Sequence, residues 1–168
     1  MPPLAPSLPF VVQPGEGRRA PLGSLGTIHK VPGTLTDGRL AVVEHTLPPR
    51  FLAAPMHRHA REDEISVVLA GQLGVKLDDD VLVVNPGGYV LKPRGQWHTF
   101  WNAGTAELRF IELLVPAGVE GYFEELSLLF ATIDAPLADD VQRLADLYGL
   151  QVDFQSVAAL CQQFGLRF

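Results

Sequence analysis

The chain has 168 residues, of which 47% are hydrophobic and 19% charged, with a formal net charge of −6. This composition excludes a disordered chain and fits one compact domain. The 13 lysines and arginines are scattered, so no basic patch points to nucleic acid. No apolar run approaches the roughly 20 residues that cross a bilayer, and the first 14 residues lack a signal-peptide pattern. We therefore expect a cytoplasmic protein that binds neither nucleic acids nor membranes.

Residues 1–118 divide into an arm and a β-rich domain. Residues 1–26 are rich in proline and glycine, which predicts an irregular arm. Residues 27–118 contain short β segments separated by turn residues, a pattern typical of a sandwich or barrel. The predicted strands are Leu40–Leu47, Ile65–Leu69, Val81–Val84, Tyr89–Leu91 and Leu108–Val115.

Residues 119–168 change to helical periodicity and form a predicted C-terminal helical extension. Apolar residues recur at helical spacing over 119–130 and 137–148, and a third short helix is expected over 155–164. Asp134 and Pro136 suit the start of the second of these helices, and Gly149 suits its end.

Histidines and acids cluster between two of the β segments. His57 and His59 are two residues apart, so on a strand their side chains leave from the same face. Two imidazoles on one face are a ready pair of ligands for a divalent transition metal. Glu64 begins the next β segment, and His98 lies in another β-like stretch. Cys161 is the single cysteine, which excludes a cysteine-rich metal site.

Isolated histidines call for a plainer interpretation. A lone histidine in a strand is more often a hydrogen-bonded polar residue than a ligand, and this is what we expect of His29 and His45. The other three histidines and Glu64 differ because they belong to a longer pattern.

That pattern resembles the two motifs of the cupin family. The first motif is G-x5-H-x-H-x3–4-E-x6-G, and the chain supplies His57, His59, Glu64 and Gly71 at the required spacing. Phe51 stands where the motif has its first glycine. That position is a turn rather than a ligand, so the departure affects local backbone shape and leaves the metal ligands intact.

The second cupin motif, G-x5-P-x-G-x2-H-x3-N, is complete. It is supplied by Gly87, Pro93, Gly95, His98 and Asn102. Fifteen residues, 72–86, separate the two motifs, which is the short spacing of small single-domain cupins. In cupins the motifs form adjacent strands of an antiparallel double-stranded β-helix, also called a jelly roll. The resemblance therefore implies a mainly β fold of this type, followed by the helical tail.

The resemblance also implies the ligands and the cofactor. His57, His59, Glu64 and His98 would hold one divalent transition metal, with iron or manganese favoured over nickel, copper or zinc. One or two positions would stay open for substrate, water or oxygen, as in a catalytic site. By strand alternation, Ser66, Val68 and Phe100 should line the cavity and contact the substrate.

The layout looks most like small quercetin-dioxygenase-type cupins. This implies an oxygen-using oxidoreductase acting on a small enolisable or phenolic molecule, with Glu64 as a catalytic base. Cupins serve many reactions, so two alternatives stay open: a non-redox isomerase, decarboxylase or hydrolase, and a small-molecule binding protein without turnover. Relatives are often dimers, and we expect a homodimer.

Overall fold

The structure is a computed structural model, which describes residues 10–133 and 137–168. Within these ranges the chain forms two antiparallel sheets and three α-helices. The strands are β1 (Arg18–Arg19), β2 (Gly26–Val31), β3 (Ala41–Leu47), β4 (Met56–His59), β5 (Asp63–Ala70), β6 (Leu73–Leu77), β7 (Asp80–Val84), β8 (Tyr89–Lys92), β9 (His98–Asn102), β10 (Leu108–Val115) and β11 (Leu150–Asp153). The helices are α1 (Glu120–Thr132), α2 (Ala138–Leu147) and α3 (Ser156–Phe164).

The two sheets contain non-consecutive strands, which is how the chain brings distant segments together. One sheet has the order β1-β2-β3-β10-β5-β8 and the other has the order β11-β4-β9-β6-β7. This mainly β architecture confirms the predicted class and is consistent with the expected double-stranded β-helix. Among the described residues, no helix is both long and apolar enough to span a membrane.

The predicted strands are all present, with boundaries that differ by at most two residues. Four strands were not anticipated: β1, β2, β6 and β11. β1 lies in the predicted arm and β11 lies in the predicted helical extension, so each segment also adds a strand to a sheet. The predicted helix start at Asp134 and Pro136 lies outside the described residues. The division of the chain at residues 26 and 118 remains a prediction.

Apolar side chains from the two sheets meet in a buried core. This core includes Leu47, Val68, Leu73, Phe100 and Phe110, all of which are at most 5% exposed. A second apolar cluster joins β3 and β10 to α1, α2 and β11. Burial of these faces stabilises the fold because each fully buried large apolar side chain contributes about 1.5–3 kcal/mol.

The third helix packs on the outside of the barrel, against the face of β9 that points away from the core. Trp101 is 3% exposed, and its ring stacks on Phe164 of α3 with a centroid distance of 4.4 Å. Trp101 is therefore a packing residue, as its alternation with His98 predicts. Gly74 lies directly beneath the indole, where an added Cβ would approach a ring carbon to 2.2 Å.

We expect Gly74→Ala to lower the free energy of unfolding by about 1–3 kcal/mol, because the indole is confined by Phe164 and cannot yield. The urea midpoint of unfolding measures this change. Gly104→Ala is the control, since its added Cβ would come no nearer than 3.4 Å to a neighbour and should change stability by less than about 0.5 kcal/mol. Equal losses in both variants would contradict the packing argument.

His29 on β2 departs from the expected hydrogen-bonded state. The residue is 4% exposed, and neither ring nitrogen has a hydrogen-bond partner among the described residues. The nearest carboxylate oxygen belongs to Glu124 and lies 3.6 Å from Nδ1. Burial lowers the pKa of His29 below 6.5, and the neighbouring Glu124 offsets this only in part.

This lowered pKa predicts a loss of stability in acid. Below pH 6.5 the unfolded chain takes up a proton on His29 while the folded protein does not, so the free energy of unfolding decreases as the pH falls. His29→Phe should flatten the profile between pH 7 and 5 by at most about 1.4 kcal/mol per pH unit. Urea unfolding at a series of pH values tests this, and parallel profiles for the two proteins would refute it.

Candidate metal centre

The four predicted ligands come together between the two sheets. β4 carries His57 and His59 on its inward face, and His57 pairs directly with His98 of β9. Glu64 is contributed by β5 of the opposite sheet. One ligand atom from each of the four side chains lies within 4.8 Å of all the others. This cluster could bind a metal ion.

Backbone carbonyls orient two of the imidazoles. His57 Nδ1 lies 2.8 Å from the carbonyl oxygen of Pro55, and His98 Nδ1 lies 3.1 Å from that of Gln96. A carbonyl oxygen only accepts hydrogen bonds, so each Nδ1 must carry the proton and donate it. The lone pair of each Nε2 is then left to face the cluster, as metal-binding histidines require.

The Nε2 atoms of His98 and His59 face the carboxylate of Glu64, and this geometry shows whether the cluster suits a cation. His98 Nε2 lies 3.0 Å from Glu64 Oε2, and His59 Nε2 lies 3.4 Å from Glu64 Oε1. Two lone pairs at such distances repel unless a proton or a metal ion lies between them. Both nitrogens of His59 are buried and lack a hydrogen-bond partner among the described residues. Orphaned buried nitrogens are costly, and coordination would satisfy one of them.

Glu62 supports His59 from behind and was not anticipated by the motif. Its Oε2 lies 3.6 Å from His59 Nδ1, and the side chain is 4% exposed. A carboxylate behind a metal-binding imidazole fixes the ring and increases its basicity. Burial acts to lower the pKa of His59, but the carboxylates of Glu64 and Glu62 outweigh it and raise that pKa above 6.5.

His57 behaves in the opposite way because the carboxylate of Glu64 compensates for its burial only in part. Desolvation, followed by the nearby His98 and His59, lowers the pKa of His57 well below 6.5. His57 is therefore neutral at physiological pH and can donate its lone pair. The cluster thus combines one imidazole that stays neutral in acid with one that competes for protons.

A buried lysine connects Glu64 to a second buried carboxylate. Lys92 of β8 is fully buried; its Nζ lies 2.9 Å from Glu64 Oε2 and also contacts Glu112 Oε1 of β10. Burial raises the pKa of a carboxyl group, but Lys92 and the histidines His59 and His98 outweigh this and hold the pKa of Glu64 well below 4.5. Glu64 is therefore ionised whether or not a cation is bound.

The sequence contains a signal for Lys92 and Glu112 in the alternation of their strands. Alternation on β8 places Lys92 on the same inward face as Val90. Alternation on β10 likewise places Glu112 on the same inward face as Phe110 and Leu114. Charged residues on an apolar inward face are rarely buried without a partner. The inward position of either residue therefore predicts an oppositely charged partner inside the barrel.

The polar network continues to the far side of the barrel through His45. Its Nε2 lies 3.1 Å from Glu112 Oε2, and its Nδ1 lies 2.9 Å from the hydroxyl oxygen of Thr27. His45 is thus the hydrogen-bonded histidine that was expected. Thr27, His45, Glu112, Lys92 and Glu64 form one continuous buried chain of polar contacts.

A cavity of about 580 Å³ opens beside the cluster. Phe100 lines it, together with His57, His59 and Glu64. Ser66 and Val68 are buried and are not among the residues that line it. Ser66 donates a hydrogen bond to Glu112 Oε1 over 3.2 Å. The assignment of Ser66, Val68 and Phe100 to substrate binding stays a prediction, and the geometry favours only Phe100.

Two further charged residues of the barrel form ion pairs and do not line this cavity. Arg94 forms a bidentate pair with Asp63 at 3.0 and 2.8 Å and is half exposed. Glu44 pairs with Arg109 at 2.9 Å and with Lys30 at 3.4 Å. Both residues form surface ion pairs, which contribute little to stability.

Comparison with known proteins gives the same fold. KdgF from a Halomonas species superposes with a TM-score of 0.59 at 17% identity, over 67% of this chain and 97% of the other. A predicted oxalate decarboxylase from Thermotoga maritima gives 0.58 at 20% identity, over 64% and 99%. A sugar phosphate isomerase from a cupin superfamily, from Silicibacter pomeroyi, gives 0.55 at 18% identity, over 63% and 75%.

At these identities the likeness shows the fold alone. None of these three proteins is named a quercetin dioxygenase, so that finer resemblance stays a prediction. Comparison with the curated proteins gives no match. Residues 43–115, which contain all four predicted ligands, match the family model of the cupin domain. The family model thus matches the barrel segment, and the solved structures show the same fold.

Proposed function

We propose that the protein is a metal-dependent oxidoreductase that uses molecular oxygen on a small enolisable or phenolic substrate. The observation that carries the proposal is the position of the cluster. The four ligand atoms lie within 4.8 Å of one another, and three of the residues, His57, His59 and Glu64, line a cavity of about 580 Å³ that a substrate can enter. A closed structural metal site has no such adjoining space.

His57, His59, Glu64 and His98 would hold the ion, and iron or manganese suits this set of three nitrogens and one carboxylate. A bound ion of this kind would supply Lewis acidity and, through its redox states, access to oxygen chemistry. The open positions that the donor set leaves would face the cavity.

The protein's own side chains would orient the substrate and move its proton. Glu64 is the candidate base, and its carboxylate is kept ionised by Lys92. Phe100 lines the cavity beside His57, with ring centroids 6.5 Å apart, and offers a flat apolar wall to an enol or phenol. The imidazole of His45 also lines the cavity, but both of its ring nitrogens are already hydrogen-bonded, to Thr27 and Glu112.

A non-redox metalloenzyme is the second candidate, because the same donor set also suits zinc. Two solved proteins of this fold carry the names of a decarboxylase and an isomerase, which is a likeness of fold only. A binding protein without turnover is the third. The expected homodimer and the cytoplasmic location remain parts of the proposal.

The first test is the metal content of untagged protein, measured by elemental analysis. We expect about one equivalent of iron or manganese per chain, its loss in a His57→Ala/His98→Ala double variant, and its retention in the control His29→Ala, whose histidine lies outside the cluster. Oxygen uptake is then measured with enolisable and phenolic compounds.

Each outcome of this test has a defined meaning. Metal-dependent oxygen uptake that the double variant lacks would support the proposal. Stoichiometric zinc with turnover but without oxygen uptake would favour the non-redox candidate. No metal, even after anaerobic reconstitution, would refute the metal centre.

Lys92 offers a test of the buried charge network. We expect Lys92→Met to lower the free energy of unfolding of the metal-free protein by about 3–5 kcal/mol, because it leaves two buried carboxylates without their shared cation. Lys92→Met/Glu112→Gln should recover part of this loss. Urea unfolding measures both, with Lys76→Met on β6 as the control. A loss no greater than that of the control would show that Lys92 does not neutralise the pair.

A further inference from the structure

The lining of the cavity has two chemically different parts, here called the polar end and the apolar end. The polar end includes His57, His59 and Glu64 of the metal cluster together with His45 and Glu112. The apolar end is lined by segments that follow the barrel: Tyr122, Phe123, Leu126 and Phe130 of α1, Val141 of α2, and Leu150 and Val152 of β11. The C-terminal segment therefore builds an apolar extension onto the site.

β11 brings this extension directly to the cluster. Leu150 pairs with His59 and Val152 pairs with His57 across the β4–β11 ladder. A ligand bound at the imidazoles therefore lies about one interstrand spacing from the apolar wall, since paired strands lie about 4.8 Å apart. The metal end and the apolar end form one site.

The lining also excludes several substrate classes. Among the described residues that line the cavity there is no lysine, arginine, aspartate, asparagine or glutamine. Arginine and lysine, the side chains that usually bind phosphate, are thus not among these described residues, although the first residue of α2, Ala138, is. A sugar needs several hydrogen-bonding side chains. Burial raises the pKa of Tyr122 to about 12, so its hydroxyl is neutral and adds no charge.

We propose that the substrate is an amphipathic acyl compound, with an enolisable oxygen-bearing head at the metal cluster and an apolar tail between α1 and β11. This inference rests on the proposed function for its head and on the apolar wall for its tail. Sugars and sugar phosphates are poor ligands of this cavity, although proteins of the same fold act on them by name.

The test uses n-alkyl hydroxamates, whose head group chelates metal ions, from acetohydroxamate to octanohydroxamate on the metal-loaded protein. We expect the affinity, measured by calorimetry, to rise roughly fourfold with each methylene that enters the apolar end. An affinity that does not change with chain length would overturn the inference.

Three variants on α1 locate the tail. Leu126 is 7% exposed and lines the cavity, whereas Leu128 is 61% exposed and does not. Leu126→Gln should weaken octanohydroxamate binding roughly tenfold and leave acetohydroxamate binding unchanged, while Leu128→Gln should change neither. Phe130→Gln, at a half-exposed position of the same wall, repeats the test at lower risk to folding. Equal effects in the Leu126 and Leu128 variants would refute the tail site.

The metal site for the head group and the apolar site for the tail can be refuted independently. If acetohydroxamate does not bind, the metal centre and the proposed function fail. The tail site is then tested by displacement of 1-anilinonaphthalene-8-sulfonate with 1-butanol to 1-octanol. A rise in affinity with chain length that Leu126→Gln removes would keep the apolar site, and its absence would overturn it.

Discussion

The interaction between Lys92 and its two carboxylates is the constraint on which the interior of this barrel depends. Glu64 and Glu112 lie on neighbouring strands, β5 and β10, and both are buried. Two carboxylates so placed repel each other and each loses its hydration, a cost of several kcal/mol per ion. Lys92, from the other neighbour of β5, compensates for both. Glu64 can therefore remain an anion inside an apolar barrel and face the imidazoles.

The part of the site that could be predicted from the sequence is the part defined by the spacing of residues within the motifs. His57 and His59 are two apart on one strand, and the spacing to Glu64 and His98 follows known motifs, so the structure brings these four together. Glu62, Lys92 and Glu112 escaped prediction because each is defined by a partner on another strand or turn. Their roles depend on register between strands, which alternation within one strand does not specify.

The fold shows the same division between local and long-range information. Strands with clear alternation, such as β3 and β10, were predicted nearly to the residue. β6 was missed because it is only five residues long and contains Gly74, which weakens a strand signal, and Gly74 makes room for Trp101. β11 was missed because four residues between two helices carry little periodic signal, and its pairing with β4 alone makes it a strand.

The pairing of His57 with His98 ties the spacing of two ligands to the hydrogen-bond ladder of the sheet. Backbone carbonyls then set the rotation of both rings. The spacing between these two imidazoles is thus a property of the β-sheet itself. A metal ion bound by this pair would have to accept the spacing that the sheet sets.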